Sequence, residues 1–252
     1  MFLPAYDEKL ECINFGLKIL QKTCGLTYGT DALLLAAYVR GRTSGRAADL
    51  GAGSGVIGLL CAAKEKFRQI YSVEIQLEYA ELCTKNAAMN RLDQRMSVIC
   101  RDLRSLTASD TEGELDAIMT HPPYMTVGSG KRNEDDGKYI ARHEVYGGIG
   151  DFCAAGARLL KCGGSFYVVY RPDRIIDLIA ALRENRLEPK RMTMVYRDTN
   201  HIPSLALIEE KKDGTPSCFV TKPLILYENR LESDDLKYIM ETGNFDESYY
   251  RA

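Results

Sequence analysis

Apolar and polar residues alternate along the chain in blocks that predict strands and helices in turn. Short apolar runs of strand length occur at 47–50, 69–75, 96–100, 115–120 and 165–171. Longer segments with helical spacing occur at 56–66, 77–90, 151–160 and 173–183. Alternation of this kind is typical of βαβ units, whose consecutive strands run parallel. The pattern therefore predicts an α/β fold built on a mainly parallel sheet.

The two ends of the chain depart from this alternation. Residues 191–196 and 205–211 predict two late strands without a helix between them, and so an antiparallel strand at one edge of the sheet. Residues 1–28 predict an N-terminal appendage, with a hairpin as its expected form. Thr30-Asp31 is a helix N-cap signal before the apolar run 32–39. We expect a main domain at 29–228 and a tail at 229–252, where Ser233 caps a short helix.

Composition and charge narrow the class of protein. The chain has 252 residues, of which 45% are hydrophobic and 27% charged, as in an ordinary globular domain. A formal net charge of −2 excludes a uniformly basic surface, so a nucleic acid would need a local basic patch. The eight cysteines form no Cys-x-x-Cys pair, which predicts reduced core thiols, no metal site and a cytoplasmic location. No apolar run is long enough to cross a membrane.

A glycine-rich turn follows the first strand of the predicted sheet. Asp49-Leu50-Gly51-Ala52-Gly53-Ser54-Gly55 leads from a strand into a helix, where glycines permit a sharp turn and close approach to a ligand. The segment 53–58 also matches the dinucleotide motif G-x-G-x-x-G, although Gly58 would then fall inside the helix. A tight turn without a ligand is a further alternative, but three glycines cost chain entropy without a packing gain.

Polar residues also follow the next two strands. The second strand ends at Glu74-Ile75, where a carboxylate can accept both hydroxyls of a ribose, and Asp102-Leu103 follows the third. Because the carboxyl ends of parallel strands meet at one edge of a sheet, these segments and the glycine turn are expected to converge. Their joint occurrence favours a ligand that contains a nucleoside.

The fourth strand ends in His121-Pro122-Pro123-Tyr124. Two prolines alone indicate a rigid strand exit. In this position, however, the tetrapeptide resembles the Asn-Pro-Pro-Tyr motif of enzymes that methylate planar amino nitrogens. The glycine turn with Asp49 likewise resembles the first motif of class I methyltransferases. The resemblance implies a Rossmann-like fold with a mainly parallel seven-stranded sheet, one antiparallel strand, helices on both faces, and S-adenosylmethionine as the methyl donor.

The same resemblance assigns roles to individual residues. It implies that the cofactor is bound by Thr30, Asp31, Asp49, Gly51, Ala52, Gly53, Gly55, Glu74, Ile75, Asp102, Leu103 and His121. The catalytic residues would be His121, Pro122, Pro123 and Tyr124, with Tyr124 stacked on the target base. His121 departs from the family's Asn. A neutral imidazole can still accept a hydrogen bond from the target amine, whereas a protonated one cannot.

Further segments resemble the bacterial enzymes that methylate N6 of the adenine beside the anticodon of valine transfer RNA. They are Gly29-Thr30-Asp31-Ala32-Leu33-Leu34, Gly128-Ser129-Gly130-Lys131-x-Asn133, Ile140-Ala141-Arg142-His143-Glu144 and Tyr170-Arg171-Pro172-Asp173-Arg174. The resemblance implies transfer RNA as the partner. Its expected contacts are Tyr124, Lys131, Arg132, Asn133, Arg142 and His143. We also expect a basic face formed by Arg171, Arg174, Lys190, Arg191 and Arg197.

Three alternatives remain open at this point. A solvated charged loop is the simpler interpretation of residues 128–144, because Glu134, Asp135 and Asp136 partly cancel its positive charge. A protein glutamine N5-methyltransferase would use the same tetrapeptide, because the glutamine amide is also a planar nitrogen. A cofactor-binding protein with impaired catalysis would account for His121. The sequence does not predict the oligomeric state.

Overall fold

The computed structural model of the chain describes residues 4–24, 27–123 and 147–250. Six residues predicted to contact substrate lie outside the described residues, and their roles stay predictions. They are Tyr124, Lys131, Arg132, Asn133, Arg142 and His143.

Strands and helices alternate through most of the described chain. The strands are β1 (Glu8–Cys12), β2 (Lys18–Lys22), β3 (Arg42–Leu50), β4 (Phe67–Glu74), β5 (Met96–Cys100), β6 (Leu115–Thr120), β7 (Leu160–Tyr170), β8 (Leu187–Tyr196), β9 (Pro203–Lys212), β10 (Phe219–Val220), β11 (Leu224–Ile225), β12 (Tyr227–Glu228) and β13 (Leu231–Glu232). The helices are α1 (Thr30–Tyr38), α2 (Val56–Ala63), α3 (Leu77–Met89), α4 (Ile149–Leu159), α5 (Ile175–Glu184) and α6 (Asp234–Thr242).

One large sheet forms the centre of the protein. Its main strands lie in the order β5-β4-β3-β6-β7-β9-β8, and the short strands β10 and β11 both pair with β8. Strands β3 to β7 pair in parallel, whereas β9 is antiparallel to both of its neighbours. The predicted mainly parallel sheet with one antiparallel strand is confirmed. The expected edge position of that strand is wrong, because β8 pairs along its outer side.

Neighbouring residues of each central strand point to opposite faces of the sheet, as the pleat of a strand requires. Ala47 and Met119 face one hydrophobic core, whereas Ala48 and Ile118 face the other. The first core is covered by α1, α2, α3 and α6, and the second by α4 and α5. Helices therefore cover both faces, and the sheet is buried between them.

The N-terminal strands β1 and β2 form an antiparallel hairpin. The hairpin is fastened to α3 by Asn86, a wholly buried residue. The Asn86 side chain accepts a hydrogen bond from the Leu20 amide at 2.7 Å and donates to the Leu20 carbonyl at 3.0 Å. It also donates to the carbonyl of Ser54 at 2.9 Å. One amide thus connects the hairpin, α3 and the glycine turn.

The C-terminal residues pack into the core beside α1. Ser233 caps α6 as predicted, since its hydroxyl accepts a hydrogen bond from the Leu236 amide at 3.1 Å. Beyond this helix, the ring of Phe245 meets the rings of Tyr38 and Tyr249 edge-on, with centroids 5.1 and 5.0 Å apart. These residues therefore complete the apolar cluster around α1.

Three local expectations need correction. The N-cap of α1 is Gly29, which has no capping side chain, and the Asp31 carboxylate instead accepts from the adjacent Ala32 amide at 2.8 Å. Helix α2 ends at Ala63, where the chain turns into β4. All eight cysteines lie among the described residues and are free, but five are exposed rather than in the core.

Within the described segments, no helix is long and apolar enough to span a membrane.

Candidate active site

The carboxyl ends of four parallel strands place the predicted site residues along one edge of the sheet. Leu50 at the end of β3 pairs with Val73 on one side and Thr120 on the other, and Glu74 pairs with Cys100. The Thr120 hydroxyl also donates to the Leu50 carbonyl at 2.9 Å. The glycine turn, Glu74, Asp102 and His121 therefore follow strands that lie side by side. The chain changes direction across the sheet between β3 and β6, which is where open α/β sheets bind ligands.

The glycine turn has the backbone conformation that its sequence predicts. Gly51, Gly53 and Gly55 all have positive φ angles of 74°, 54° and 85°, which L side chains rarely adopt. The amides of Gly51 and Ala52 both donate to the Val73 carbonyl at 2.9 Å. The turn is thereby tied to β4, and Gly55 becomes the N-cap of α2.

The glycine turn is restricted in space as well as in backbone conformation. A Cβ atom on Gly55 would lie 2.3 Å from the Sγ of Cys83, and one on Gly51 would lie 3.2 Å from the ring of Phe152. Helices on both faces of the sheet therefore close in on the turn. Gly58 lies within α2, which is the displacement that counts against the dinucleotide alternative.

Glu74 forms the second part of the site. Its carboxylate is buried and accepts hydrogen bonds from the Gly53 amide and the Gln76 amide, both at 2.9 Å. Burial raises the pKa of Glu74, and these backbone hydrogen bonds oppose the rise. Each oxygen keeps a further lone pair, because a carboxylate oxygen accepts two hydrogen bonds. Glu74 therefore holds the turn and retains capacity to accept from a ligand. Ile75 beside it is half-buried.

Asp49 lies beneath the turn rather than on its surface. The side chain is wholly buried, and one oxygen accepts from the Gly58 amide at 3.2 Å. The other oxygen, Oδ1, has no hydrogen-bond partner in the described part of the chain. Burial raises the pKa of Asp49 to about 7. Asp49 would therefore influence a bound ligand indirectly, by holding the glycine turn and the first turn of α2 in place.

Asp102 and Leu103 follow β5 at the same edge. Asp102 caps a short 3-10 helix, where its carboxylate accepts from the Arg104 amide at 2.9 Å and pairs with the Arg104 guanidinium. These contacts hold the pKa of Asp102 below its ordinary value. Leu103 is buried, whereas Asp102 is partly exposed. A charged acceptor is thus fixed two strands away from the glycine turn.

His121, Pro122 and Pro123 leave the sheet next to the glycine turn. Pro122 is buried, and His121 retains a quarter of its side-chain exposure. The His121 imidazole faces the first turn of α1, where its Nε2 lies 3.5 Å from Oδ2 of Asp31. Burial lowers the pKa of His121, and the Asp31 charge acts in the opposite direction. Thr30 lies beside Asp31 and is exposed.

The structure thus brings the described residues of the predicted site to one edge of the sheet, but it does not expose every residue of the expected basic face. Arg191 was expected on a basic face, but it is buried. Its guanidinium pairs with Glu209 at 3.0 Å and lies over the Tyr38 ring at 3.6 Å. The two-residue period of β8 could have indicated this, because Arg191 lies an even number of positions from Val195, which packs in the core beside α1.

Comparison with known proteins agrees with this geometry. Residues 25–183 match the model of the methyltransferase small domain family. A tRNA1(Val) (adenine(37)-N6)-methyltransferase from Bacteroides fragilis is 26% identical over 73% of this chain and 77% of its own length. A relative of the same name from Aeromonas hydrophila is 32% identical over 63% of this chain and 65% of its own length.

The fold is shared with solved structures. A predicted O-methyltransferase from Agrobacterium tumefaciens superposes with a TM-score of 0.67 at 22% identity, covering 85% of this chain and 97% of that one. The likeness at this identity concerns the fold, whereas the family match spans the glycine turn, Glu74, Asp102 and the strand exit at His121. This chain belongs to the methyltransferase small domain family.

Proposed function

We propose that this protein transfers a methyl group from S-adenosylmethionine to N6 of an adenine in transfer RNA, beside the anticodon. The observation that carries the proposal is the strand exit His121-Pro122-Pro123, which lies directly beside the glycine turn at the carboxyl edge of the sheet. A methyl donor in the turn and a planar amine at the strand exit would meet at this edge.

The residues at the glycine turn suit S-adenosylmethionine. A side chain would clash with Cys83 at Gly55 and would be tight against Phe152 at Gly51, and a turn built of glycines allows a cofactor to approach its backbone closely. Glu74 would accept from the ribose hydroxyls through the lone pairs that Gly53 and Gln76 leave unused. Asp102 would accept from the adenine amine of the cofactor. When bound, the cofactor supplies an electrophilic methyl group.

The protein would act on the target amine mainly by positioning it. The lone pair of an exocyclic adenine amine is conjugated with the ring, so the amine is a weak nucleophile. Acceptors for its two hydrogens favour a tetrahedral nitrogen and free the lone pair for attack. His121 and the Pro122 carbonyl are the residues that would accept. Orientation and matched polarity would then provide most of the rate enhancement.

The names of the relatives support the choice of substrate. The two relatives above are both tRNA1(Val) (adenine(37)-N6)-methyltransferases. An anticodon loop also exposes unpaired bases, which an enzyme can reach without opening a duplex. The net charge of −2 requires that RNA be held by a local patch, for which residues 128–144 are our candidate.

The test is transfer of labelled methyl groups to transfer RNA from a strain that lacks the enzyme. We expect N6-methyladenosine among the digested nucleosides, identified by mass spectrometry. Glu74→Gln should raise the KM for the cofactor about tenfold, as the loss of a charged hydrogen-bond acceptor predicts. Glu65→Gln, at an exposed ion pair with Arg95, is the matched control and should leave the KM unchanged.

Two results would overturn the proposal. Labelling of a release-factor glutamine, but not of RNA, would indicate the protein glutamine N5-methyltransferase. Cofactor binding by calorimetry without transfer to any RNA or protein would indicate a binding protein whose catalysis is impaired.

A further inference from the structure

The first turn of α1 presents a carboxylate to the residue that replaces the family's Asn. Asp31 Oδ2 lies 3.5 Å from Nε2 of His121, and both side chains keep a quarter of their exposure. The second oxygen of Asp31 is engaged by the Ala32 amide at 2.8 Å, which fixes the orientation of the carboxylate. Nε2 is therefore the imidazole nitrogen at ion-pair distance from this fixed carboxylate, and Nδ1 lies on the opposite edge of the ring.

The charges around His121 come from several elements of the site. From α1, Asp31 is the charged group that acts on the imidazole among the described residues. On the neighbouring strand ends, Asp49 is directed at the Gly58 amide, and Glu74 at the amides of Gly53 and Gln76. Backbone amides thus engage both carboxylates, from α2 for one oxygen of Asp49 and from the turns for Glu74. Among the described residues, Asp31 is therefore the carboxylate at ion-pair distance from the imidazole.

We propose that Asp31 and His121 form a proton-accepting pair, in which Asp31 keeps the imidazole hydrogen on Nε2 and His121 Nδ1 takes a proton from the target amine. This inference rests on the proposed function. It assigns Asp31 to positioning His121 rather than to holding the cofactor. It also gives His121 a role that an Asn cannot have, since an amide accepts a hydrogen bond but does not take up a proton near neutral pH.

The step balances in atoms and charge. As the amine nitrogen gains the methyl group, its lone pair forms the new N–C bond, and the S–C bond electrons return to sulfur. The nitrogen then loses one hydrogen as a proton to His121 Nδ1, which leaves a neutral methylamine. The positive charge of the sulfonium is thus replaced by an imidazolium. That imidazolium lies beside the Asp31 carboxylate, which stabilises it.

The pair predicts the sign of the pH dependence. Burial lowers the pKa of His121 below its ordinary value of 6.5, so the acceptor form predominates at neutral pH. Activity should therefore rise with pH and reach a plateau as His121 loses its proton. The Asp31 charge raises the pKa of His121. Its removal should therefore move the rise to lower pH and weaken the base.

The first test uses the protein without cofactor or RNA. The chain has three histidines, so nitrogen-15 NMR spectra of the imidazoles are simple, and His121→Asn assigns the His121 signals. We expect the Nε2–H tautomer for His121, with Nδ1 unprotonated above its titration midpoint. Asp31→Asn should lower that midpoint by about one pH unit, as the loss of an adjacent opposite charge predicts. An Nδ1–H tautomer, or an unchanged midpoint, would overturn the proposal.

The second test follows kcat against pH for the wild type and three variants. Asp31→Asn should lower the plateau about tenfold or more and shift the rise by the amount that NMR gives, with both KM values unchanged. His121→Asn should remove the rise. Asp234→Asn, which changes the same residue type in the first turn of α6, is the matched control and should behave as the wild type.

The outcomes separate this inference from the proposed function. If the wild type methylates no RNA, the proposed function fails, whereas the NMR result still tests the contact between Asp31 and His121. If RNA is methylated but Asp31→Asn raises only the KM for the cofactor, then Asp31 is a cofactor ligand and the proton-accepting pair is wrong. If Asp31→Asn lowers kcat without shifting the pH profile of kcat, Asp31 has a purely structural role, and the proton-accepting pair is again wrong.

Discussion

Replacing Gly55 with Ala tests the physical basis of the glycine turn. Two separate costs are expected. The first is conformational, because Gly55 has a φ of 85° and an L residue in the left-handed region costs about 1–2 kcal/mol. The second is steric, because the new Cβ would lie 2.3 Å from Cys83 Sγ in the buried face of α3. Overpacking of this kind costs about 1–3 kcal/mol more.

A matched control separates these two costs. Gly163 has a φ of 73°, close to that of Gly55, but a Cβ there would meet nothing within 4 Å. Gly163→Ala should therefore lose only the conformational part, about 1–2 kcal/mol in the free energy of unfolding. Gly55→Ala should lose more, and the difference between the two variants measures the clash with Cys83.

A double-mutant cycle with Cys83→Ala isolates the steric part. Cys83→Ala removes the Sγ atom, and the next nearest atom to the new methyl group is then the Cβ at 3.4 Å. The double variant should therefore be more stable than the sum of the single changes by about 1–3 kcal/mol, measured by urea denaturation. If the effects of the two substitutions are additive, the packing of the turn against α3 does not require glycine at position 55. The same conclusion follows if Gly55→Ala costs no more than Gly163→Ala.

Other predictions concern buried polar groups. Glu210 is wholly buried, neither oxygen has a hydrogen-bond partner within the described chain, and burial raises its pKa well above the ordinary value of 4.5. The unfolded chain releases this proton more readily than the folded one, so Glu210 lowers the stability of the fold as pH rises. Glu210→Met removes that ionisable group and should therefore raise the urea midpoint more at about pH 8 than at about pH 5. An equal gain at both would contradict this sign. Asn86→Ala should cost about 2–5 kcal/mol, because it leaves three buried backbone groups without partners. Asn90→Ala is its control, since Asn90 makes the same pair of bonds to Lys18 at an exposed site and should cost at most about 1 kcal/mol.

The sequence predicts the central sheet and the glycine turn because local patterns determine both. The apolar runs give the strands β3 to β7, and the helical segments between most of them indicate parallel crossovers. Because parallel strands all end at one edge, Glu74, Asp102 and His121 could be assigned to one site from their positions alone. The positive φ angles at Gly51, Gly53 and Gly55 also follow from residue type.

Other features depend mainly on contacts between distant segments. The contact between Asp31 and His121 joins residues 90 positions apart, and an N-cap signal at Thr30-Asp31 suggested a different role for the carboxylate. Arg191 belongs to a charged residue type that is normally exposed, and its pairing with Glu209 and its hydrogen bond to the Tyr38 carbonyl make its burial tolerable. Short strands such as β10 and β11 have two residues each, too few for a periodic pattern.

The position of α1 connects these distant contacts to the site. Two buried cations bind the last carbonyl groups of α1. The Lys66 ammonium donates to the carbonyls of Ala36 and Val39, at 2.8 and 2.9 Å. The Arg191 guanidinium donates to the carbonyl of Tyr38 at 2.8 Å. These are the carbonyl groups that a helix leaves without partners at its C-terminus. Nine residues span roughly 13 Å, so anchoring the buried end also determines where the first turn lies. The geometry between Asp31 and His121 therefore depends on β8, β9 and the C-terminal residues packed on Tyr38, although none of them forms part of the site.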